Sequence, residues 1–472
     1  MNKSNKQSLE VAAKANKPTL PQGTRDFGAA VVRKREYIFN TIKTVFELYG
    51  FQPLETPAME NLETLLGKYG EEGDKLIFKI LNNGLDHAQK QQDARAAFEK
   101  VLEGKNTKLV TERALRYDLT IPFARYVAMN HAQLSFPFKR YQVQPVWRAD
   151  RPQRGRYREF YQCDADVVGS YSLINEVELV TIYHRVLTSL KIDYELKINS
   201  RKILAALAEC CGGTNKMVDI TIAIDKLDKI GSEKVREELL QKGLTIEQVS
   251  TIEEYLQIDG TNEEKLDRIR SLLGNSDNAT KGIQEMQYVL STSRYKQKQI
   301  NLSVDLTLAR GLNYYTGIIF EAKAPQQVKI GSIGGGGRYD DLTGLFGVPG
   351  VPGVGISFGV DRIYDVLEEL DLFPQSLLQS TKVLFFNLGE EESRDALILM
   401  EAVRAANIAA EIFHEPAKMD KQFKYAEKKC IPLVVIIGSK EIETRMCNLK
   451  VLKTGEQQQV AFDKLPEVIA SM

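Results

Sequence analysis

Two alternating runs of apolar and polar residues, 138–148 and 157–168, flank a short turn that is rich in arginine. Because successive strand residues face opposite sides, such alternation predicts two strands joined as a hairpin. A further strand-like run lies at 106–120, and the spacing of these runs favours an antiparallel sheet over repeated strand–helix–strand units. Upstream, apolar residues at helical spacing predict a long helix over 29–49, and the segment 51–57 predicts a short strand.

The pattern of apolar and polar residues changes near residue 200. From there to residue 298 the chain is mostly charged and helical in pattern, whereas strand alternation resumes over 301–360. The last stretch alternates short strands with helices, which is typical of a small α/β domain with parallel central strands. We therefore expect an α+β protein in which a helical insertion interrupts an antiparallel sheet flanked by helices. The expected domains are a disordered tail at 1–18, a sheet domain at 19–199 and 299–374, the helical insertion at 200–298 and the α/β domain at 381–472.

Composition narrows the class of protein and its compartment. The chain has 472 residues, of which 43% are hydrophobic and 27% are charged, as in ordinary globular proteins. Its formal net charge is zero, which excludes a globally basic nucleic-acid binder but allows local basic patches. The five cysteines are scattered without a CxxC pair, so we expect a reducing, cytoplasmic environment and no metal cluster. No apolar run reaches transmembrane length, so we expect no membrane partner.

The turn between the two alternating runs concentrates positive charge. Between Lys139 and Arg158 the only acid is Asp150. Arginine binds phosphate oxygens through a planar, permanently charged fork, so a hairpin with Arg148 on one arm and Arg156 near the other predicts a polyphosphate clamp. The arginines at the hairpin tip could also reach a nucleic-acid backbone. A solvated basic hairpin is the weaker alternative, because arginines inside strands are costly without anions.

Two glycine-rich segments follow. Residues 331–340 hold consecutive glycines, which allow a ligand to approach the backbone closely, although a simple turn is the favoured interpretation of this segment alone. The run 353–362 is a strand of small residues that leads directly into a helix start at Arg362. Its small residues leave room for a flat ring, and Arg362 can meet a terminal phosphate. The alternative for Arg362 is an ion pair with Asp361 or Asp365.

The segment 308–317 places one arginine and two tyrosines at the junction of two predicted strands. Arg310 lies in apolar surroundings, where a charge needs an anionic partner. Of Tyr314 and Tyr315, one ring is expected to face a pocket while the other packs, because neighbouring strand residues point opposite ways. By itself the segment is better explained by a buried ion pair and two core tyrosines.

Several acids and one threonine could complete a small polar pocket. Asp118 and Thr120 lie two apart in the strand predicted at 106–120, so they would share a face and could hold an ammonium group. Asp166, on the second arm of the hairpin, could accept a ring N–H. Asp164 is expected to be a surface acid of the same strand.

The order of these motifs along the chain is far more specific for one family than any single motif is. An arginine-flanked hairpin, Arg-Gly-Leu-Asn-Tyr-Tyr at 310–315, Gly-Gly-Gly-Arg-Tyr-Asp at 335–340 and Gly-Val-Asp-Arg at 359–362 follow one another along the chain. Together they resemble the motifs of the histidyl-tRNA synthetase family of class II aminoacyl-tRNA synthetases, from Pro21 to the tail. The run Leu-Arg-Tyr-Asp-Leu-Thr and residues 158–164 resemble the eukaryotic-type branch of that family.

The resemblance implies a class II catalytic domain that uses ATP, with Mg²⁺ bound mainly through the ATP phosphates, to join L-histidine to its tRNA. It also implies a homodimer formed through residues 29–57, a tail that binds the anticodon and an insertion that touches the acceptor stem. Catalytic roles are implied for Arg310 and Arg148. ATP contacts are implied for Arg148, Glu159, Arg156, Arg362 and Tyr161, and histidine contacts for Asp118, Thr120, Gln162, Asp166, Arg310, Tyr314 and Tyr315.

Two positions depart from the family pattern, and one segment has no assigned role. Asn313 stands where the family commonly has an acid, and Asp118 is shorter than the glutamate of many bacterial members. We expect both to be tolerated variants. The segment 85–103 is polar and helical in propensity, which predicts a surface insertion.

Two other functions are compatible with parts of the sequence. Synthetase-like regulators of histidine biosynthesis act within a phosphoribosyltransferase complex, but they typically lack the tail domain and parts of the adenylating set. A class II synthetase for another amino acid, such as threonine or proline, is disfavoured by the segment 310–315.

Overall fold

The computed structural model describes residues 18–87, 89–274, 276–296, 300–309, 314–378 and 381–472. The tail expected at 1–18 therefore lies outside the described residues apart from Pro18, and so do Arg310 and Asn313. The chain divides into two compact units. The larger unit is Arg35–Leu372 with the described residues up to Phe27, and the smaller unit is Phe373–Met472 with Gly28–Lys34.

The first 200 residues alternate helices with strands. In chain order these elements are α1 (Ala29–Leu48), β1 (Gln52–Pro53), β2 (Met59–Asn61), α2 (Leu62–Leu65), α3 (Gly70–Lys75), β3 (Lys79–Ile80), α4 (Gln91–Leu102), β4 (Arg113–Leu115), α5 (Thr120–Asn130), β5 (Phe138–Trp147), β6 (Glu159–Val168), α6 (Ile174–Ser189) and β7 (Glu195–Ser200). The predicted long helix and both strands of the arginine-rich hairpin are thus present as α1, β5 and β6.

Over the next hundred residues the structure describes helices joined by turns and short loops. They form α7 (Arg201–Cys210), α8 (Met217–Asp225), α9 (Leu227–Ile230), α10 (Ser232–Gln241), α11 (Ile246–Leu256), α12 (Asn262–Leu273) and α13 (Asp277–Lys296). Thr245 and Thr261 cap α11 and α12 in capping boxes with Gln248 and Glu264. These caps satisfy backbone N–H groups that have no partner within the helix.

Strands then return and complete the large sheet. They are β8 (Leu302–Val304), β9 (Ile318–Lys323), β10 (Gly334–Tyr339) and β11 (Gly353–Gly359), followed by α14 (Val360–Glu369). The eight-stranded sheet has the order β1-β5-β6-β11-β10-β9-β7-β8, and β2, β4 and β3 form a separate three-stranded sheet. Within the large sheet, neighbours pair antiparallel except β1 with β5 and β7 with β8. The predicted antiparallel sheet flanked by helices is therefore confirmed.

Alternation along the strands gives this sheet one polar and one apolar face. Directly opposed residues across β5, β6, β11, β10 and β9 are Gln142, Asp164, Ser357, Gly335 and Glu321. Their neighbours along each strand, Tyr141, Ala165, Ile356, Gly336 and Phe320, face the other side. On that apolar side, Phe46 of α1 packs against Tyr141, and Tyr183 of α6 packs against Phe358. The polar face is left to border cavities.

The four glycines at 334–337 lie within β10, so the expectation of a simple turn is wrong for this segment. None of these four glycines adopts a positive φ. A Cβ on Gly336 would lie 2.1 Å from the carbonyl oxygen of Gly355, which is backbone and cannot swing aside. On the polar face, a Cβ on Gly335 would find its nearest contact at 3.4 Å, the carbonyl oxygen of Phe320. The glycines thus allow close packing on one side and an open cavity floor on the other.

Two shorter expectations are corrected by the structure. The strand expected over 106–120 is only β4, because the chain turns near Tyr117 and α5 begins at Thr120. The strand expected at 51–57 is reduced to β1. Short apolar runs fit either a strand or a buried helix, so periodicity alone does not decide between them.

The smaller unit contains a third sheet, whose strands alternate with helices along the chain. Its elements are β12 (Val383–Phe385), α15 (Glu390–Ala405), β13 (Ala410–Ile412), α16 (Met419–Lys428), β14 (Leu433–Ile436), α17 (Ser439–Thr444), β15 (Met446–Val451), β16 (Gln457–Ala461) and α18 (Leu465–Ser471). The strand order is β13-β12-β14-β15-β16, and the first three strands are parallel, as predicted. The antiparallel pairs that β15 makes with β14 and β16 were not anticipated.

Among the described residues, no helix has the length and apolar character needed to cross a membrane.

Gly336→Ala is expected to destabilise the larger unit by about 1–3 kcal/mol, because the added Cβ meets fixed backbone. Gly335→Ala is the matched control, since it lies in the same strand but its Cβ would have its nearest contact at 3.4 Å, and it should change stability little. Thermal unfolding of both variants measures the difference. Equal melting temperatures would contradict this explanation of the glycine run.

Candidate functional site

Two adjoining cavities open on the polar face of the large sheet. The large cavity has a volume of about 350 Å³, and the small cavity beside it has a volume of about 50 Å³. The residues that border both cavities are Arg148, Gln162, Tyr315, Gly335 and Ser357. One ligand could therefore occupy both cavities, with its reacting centre at this shared wall.

Arg148 stands at the shared wall, immediately after β5. Its Nε donates a hydrogen bond to the carbonyl oxygen of Tyr117 at 3.1 Å. Its guanidinium lies over the rings of Tyr117 and Phe160, at 4.3 and 5.2 Å from their centroids. Among the described residues, no acceptor hydrogen-bonds to its terminal nitrogens. The guanidinium is therefore oriented by its neighbours while its terminal nitrogens can bind an anionic ligand.

Arg362, in the first turn of α14, borders the large cavity from another side. Its Nε donates to the carbonyl oxygen of Gly155 at 2.9 Å, and its Nη1 donates to that of Ser332 at 2.7 Å. These two bonds join the hairpin tip to the glycine-rich segment through one side chain. Asp361, one of the alternative partners expected for this arginine, binds Arg25 and Arg35.

Of the other residues implied in ATP binding, the structure places two at the large cavity and one away from both cavities. Arg156 and Tyr161 border the large cavity. Arg156 is half exposed and lies 3.6 Å from the carboxylate of Asp150, which also borders that cavity. Glu159 borders neither described cavity; it is exposed and accepts a hydrogen bond from the indole N–H of Trp147 at 2.7 Å. The ATP contact implied for Glu159 stays a prediction, and this geometry does not favour it.

Asp118 is buried beside the small cavity, with 1% of its surface exposed. Its Oδ1 accepts hydrogen bonds from the hydroxyl of Tyr69 at 3.0 Å and from the backbone N–H of Ile121 at 3.1 Å. The hydroxyl of Tyr314 lies 3.5 Å from its Oδ2. Burial raises the pKa of Asp118, and the N–H of Ile121 and the charge of Arg148 oppose that rise.

Thr120 does not share a strand with Asp118, so the reason given for their common face is wrong. Thr120 is the first residue of α5, and Asp118 lies just before it, between bends at Tyr117 and Leu119. The carboxylate of Asp118 accepts from the backbone N–H of Ile121 in the first turn of that helix, which fixes this carboxylate at the helix start. Both residues nevertheless border the small cavity.

Asp166 also borders the small cavity, but its carboxylate is already engaged. It is 2% exposed, and its Oδ1 accepts the hydroxyl of Tyr339 at 2.6 Å. Its Oδ2 lies 2.8 Å from a terminal nitrogen of the fully buried Arg140, an ion pair whose angle is not that of a hydrogen bond. Burial raises the pKa of Asp166, and Arg140 and Tyr339 counteract the rise. A Cβ on Gly355 would lie 2.0 Å from Oδ1, so glycine makes room for this carboxylate.

Asp164 is buried, so the expectation of a surface acid is wrong. It is 3% exposed and borders the small cavity between Gln162 and Asp166, because residues two apart on β6 face the same side. Among the described residues, its Oδ1 and the Oε1 of Gln162 are buried without a hydrogen-bond partner. Burial raises the pKa of Asp164 to about 7, and the opposing charge of Arg140 does not cancel the effect.

Tyr314 and Tyr315 both border the small cavity, contrary to the expectation that one ring packs away from it. Their rings meet edge to face at 5.0 Å, and Tyr314 meets Tyr339 in the same way at 6.1 Å. Burial raises the pKa of both hydroxyls, so they remain neutral hydrogen-bonding groups. Arg310, a little upstream, lies outside the described residues.

The candidates from the sequence omit Tyr339, Ser357 and Glu321, which border one or both cavities. Two of these residues could have been found from the alternation of side chains along a strand. Ser357 alternates with Ile356 and Phe358 in β11, and Glu321 is the lone acid of an apolar strand. Tyr339 carries no comparable signal, since it ends a strand of glycines.

Fold and site together define a class of protein. The polar face of an antiparallel sheet carries an arginine at a hairpin, a glycine-rich strand and an arginine at a helix start. This is the catalytic domain of a class II aminoacyl-tRNA synthetase.

Comparisons with known proteins then give the family. The family model described as histidyl-tRNA synthetase matches residues 23–363, and the anticodon binding domain model matches residues 382–472. The histidine–tRNA ligase of Christiangramia forsetii is 52% identical over 453 residues, covering 96% of this chain and 99% of that protein. That of Bacteroides fragilis is 53% identical over 454 residues, covering 96% and 98%. The chain belongs to the histidyl-tRNA synthetase family.

Solved structures agree with this assignment. Histidyl-tRNA synthetase from Nostoc sp. PCC 7120 aligns with a TM-score of 0.78 at 31% identity, covering 96% of this chain and 99% of that one. The S. aureus histidyl-tRNA synthetase aligns with a TM-score of 0.66 at 20% identity, over 96% and 100%, and supports the fold alone. The relatives named above are bacterial, so the expectation of a eukaryotic-type branch is not supported.

Asp164→Asn is expected to stabilise the ligand-free protein at neutral and alkaline pH. The pKa of about 7 lies above the ordinary value of 3.8, so wild-type stability is fully present below about pH 4 and is lost as the pH rises to about 7. The groups that face this carboxyl are Arg140, Asp166, Asp118 and the hydroxyl of Ser357.

Melting temperatures of both proteins between about pH 5 and 8 measure this effect. The advantage of Asp164→Asn should grow up to about pH 7 and then level off, at a few kcal/mol. A difference that is constant with pH would show that this carboxyl titrates normally in the folded protein.

Proposed function

We propose that this chain is a histidine–tRNA ligase. It would form histidyl-adenylate from L-histidine and ATP, and would then transfer the histidyl group to the 3′ end of its tRNA. Family membership supports this function, and so does the pairing of a large and a small cavity across one wall. The observation that carries the proposal is the position of Arg148 at that wall.

In the first step, the carboxylate of histidine attacks the α-phosphorus of ATP and pyrophosphate leaves. Negative charge builds on the oxygens of the α-phosphate, and cations fixed in advance lower the barrier. With ATP in the large cavity and histidine in the small one, the two reacting groups meet beside Arg148. Its oriented guanidinium can bind both anions at once. Arg310 would contribute a second cation, as the family pattern implies.

We assign Arg156, Arg362 and Tyr161 to ATP, all on the side of the large cavity. Two backbone carbonyls hold Arg362, so it can meet the terminal phosphate with little reorganisation. The open floor at Gly335 leaves room for a flat ring. Glu159 is retained as an ATP contact on the family pattern alone.

We assign the small cavity to histidine. Asp118 and Thr120, fixed at the start of α5, offer a carboxylate and a hydroxyl to the amino group. Tyr314 and Tyr315 border the space for the ring, and the remaining assigned residues are Gln162, Asp166 and Arg310. A site built from buried polar groups rejects analogues that leave them unpaired by on the order of 10⁴–10⁵-fold.

Mg²⁺ would be held mainly by the phosphates of ATP. Within the described residues, no group of three or more His, Cys, Asp or Glu side chains could hold a metal ion. Glu321, which borders the large cavity, already binds Ser332 and Lys323. This side-chain set fits a metal that arrives with its nucleotide, as Mg²⁺ commonly does.

The remaining assignments follow the family pattern. We propose a catalytic domain at 19–199 and 299–374, an acceptor-stem insertion at 200–298 and an anticodon-binding domain at 381–472, which bring histidine tRNA to the site. A homodimer through 29–57 is supported by β1, which is an edge strand of the large sheet. The scattered cysteines support a cytoplasmic location.

Amino-acid-dependent exchange of pyrophosphate into ATP, measured with each of the twenty amino acids in turn, tests the proposed function. Histidine alone should support exchange. Exchange with a different amino acid would make the chain a synthetase for that substrate. No exchange with any would favour the regulatory, non-catalytic relatives.

Arg148→Ala is expected to lower the kcat of histidine-dependent exchange by on the order of 10²–10³-fold, because a fixed cation is lost where charge develops. Arg185→Ala is the matched control: this arginine is exposed on α6 and borders neither cavity. The control should exchange at the wild-type rate. A near-normal kcat in Arg148→Ala would rule out the role given to this residue.

A further inference from the structure

Arg201 is the first residue of α7, where the helical stretch after β7 begins, and its guanidinium is buried without a counter-charge. Only 8% of its surface is exposed. Burial lowers the pKa of Arg201, and among the described residues no carboxylate opposes that effect. Its Nε is buried without a hydrogen-bond partner within the same part of the chain. Such a charge is costly to bury, so the acceptors that its other nitrogens find are informative.

Arg201 contacts the main chain on both sides of Tyr314 and Tyr315. Its Nη1 donates to the carbonyl oxygen of Ala309 at 3.3 Å, and its backbone N–H donates to the carbonyl oxygen of Gly317 at 2.8 Å. Backbone N–H groups in the first turn of a helix have no partner within that helix, so the start of α7 has this donor to offer. A single residue thus holds the chain before and after the two tyrosines.

Asn199, at the end of β7, adds a third contact to the same segment. It is fully buried, and its Nδ2 donates to the carbonyl oxygen of Leu308 at 3.0 Å. Its Oδ1 accepts the backbone N–H of Ser200 at 2.8 Å, and the hydroxyl of Ser200 accepts the backbone N–H of Lys202 at 3.2 Å. The second of these bonds caps α7, so Arg201 lies at a fixed helix start.

Tyr314 and Tyr315 border the small cavity, whereas Arg201 and Asn199 border neither cavity. Any effect of Arg201 on a ligand is therefore indirect and passes through the main chain of residues 308–317. An apolar side chain of similar length would fill the same space at a lower cost, because replacing buried charges with apolar groups is often neutral or stabilising. The guanidinium is explained by the carbonyl group that it holds rather than by packing.

We propose that Arg201 is a positioning residue for histidine activation, which fixes the main chain that presents Tyr314 and Tyr315 to the small cavity. This inference rests on the proposed function and adds to it a residue that lies outside both cavities. It also gives the first residue of the helical insertion a part in the first step of the reaction.

Arg201→Met tests this role, because methionine keeps the apolar part of the side chain and removes its charge and donors. The kcat/KM for histidine in pyrophosphate exchange should fall by on the order of 10–10²-fold, since a misplacement of about 1 Å can have an effect of that size. The KM for histidine should rise more than the KM for ATP, because Tyr314 borders only the small cavity. The melting temperature should change little, since the variant also removes the cost of a buried charge.

Lys202→Met is the matched control. Lys202 is the next residue of α7, forms an ion pair with Glu285 of α13 and borders neither cavity. This variant should exchange at the wild-type rate. Arg201→Lys is the conservative variant, which keeps the charge and a donor for a carbonyl oxygen. It should recover part of the kcat/KM that Arg201→Met loses.

Wild-type exchange in Arg201→Met would overturn the proposal. A large fall in melting temperature that accompanies the loss of exchange in both Arg201 variants would also overturn it, because it would show a structural role. So would a KM for ATP that rises as much as the KM for histidine. Each of these results leaves histidine-dependent exchange by the unaltered protein intact, whereas the absence of that exchange would refute the proposed function itself.

Discussion

Residues two apart on a strand face the same side, and here that constraint decides where chemistry can occur. Strand β6 turns Gln162, Asp164 and Asp166 toward the cavities, while Cys163 and Ala165 between them pack fully buried on the other face. A shift of the register by one residue would exchange the two sets. The sheet cannot repack without dismantling the site. Burial of these acids has a cost, which an ion pair with Arg140 offsets at Asp166, whereas the Oδ1 of Asp164 has no hydrogen-bond partner among the described residues.

Two of the arginines at the cavities donate to backbone carbonyl oxygens. Arg148 donates to that of Tyr117, and Arg362 donates to those of Gly155 and Ser332. A carbonyl group orients a guanidinium without cancelling its charge, whereas a carboxylate would compete with the phosphates for it. Arg148 therefore offers positive charge that is fixed in direction before the nucleotide arrives.

The long alternating runs predict β5 and β6 correctly, because period two over ten residues admits few other structures. The run of small residues and the helix start that follows it likewise predict β11 and α14. Asp118 and Thr120 are correctly grouped, but a helix start brings them together where a strand was expected. The burial of Asp164 and the close packing at Gly336 depend on which strands lie beside β6 and β10. Those neighbours come from distant parts of the chain, so local sequence does not contain the information.

A crystal structure of the protein with a non-hydrolysable histidyl-adenylate analogue measures the central geometry most directly. The group that replaces the α-phosphate should lie within hydrogen-bond distance of Arg148, with the adenosine in the large cavity. The imidazole ring should lie in the small cavity. The account would be contradicted if the group that replaces the α-phosphate lay far from Arg148, or if the imidazole ring lay outside the small cavity. Either result would show that the site is not divided in this way between nucleotide and amino acid.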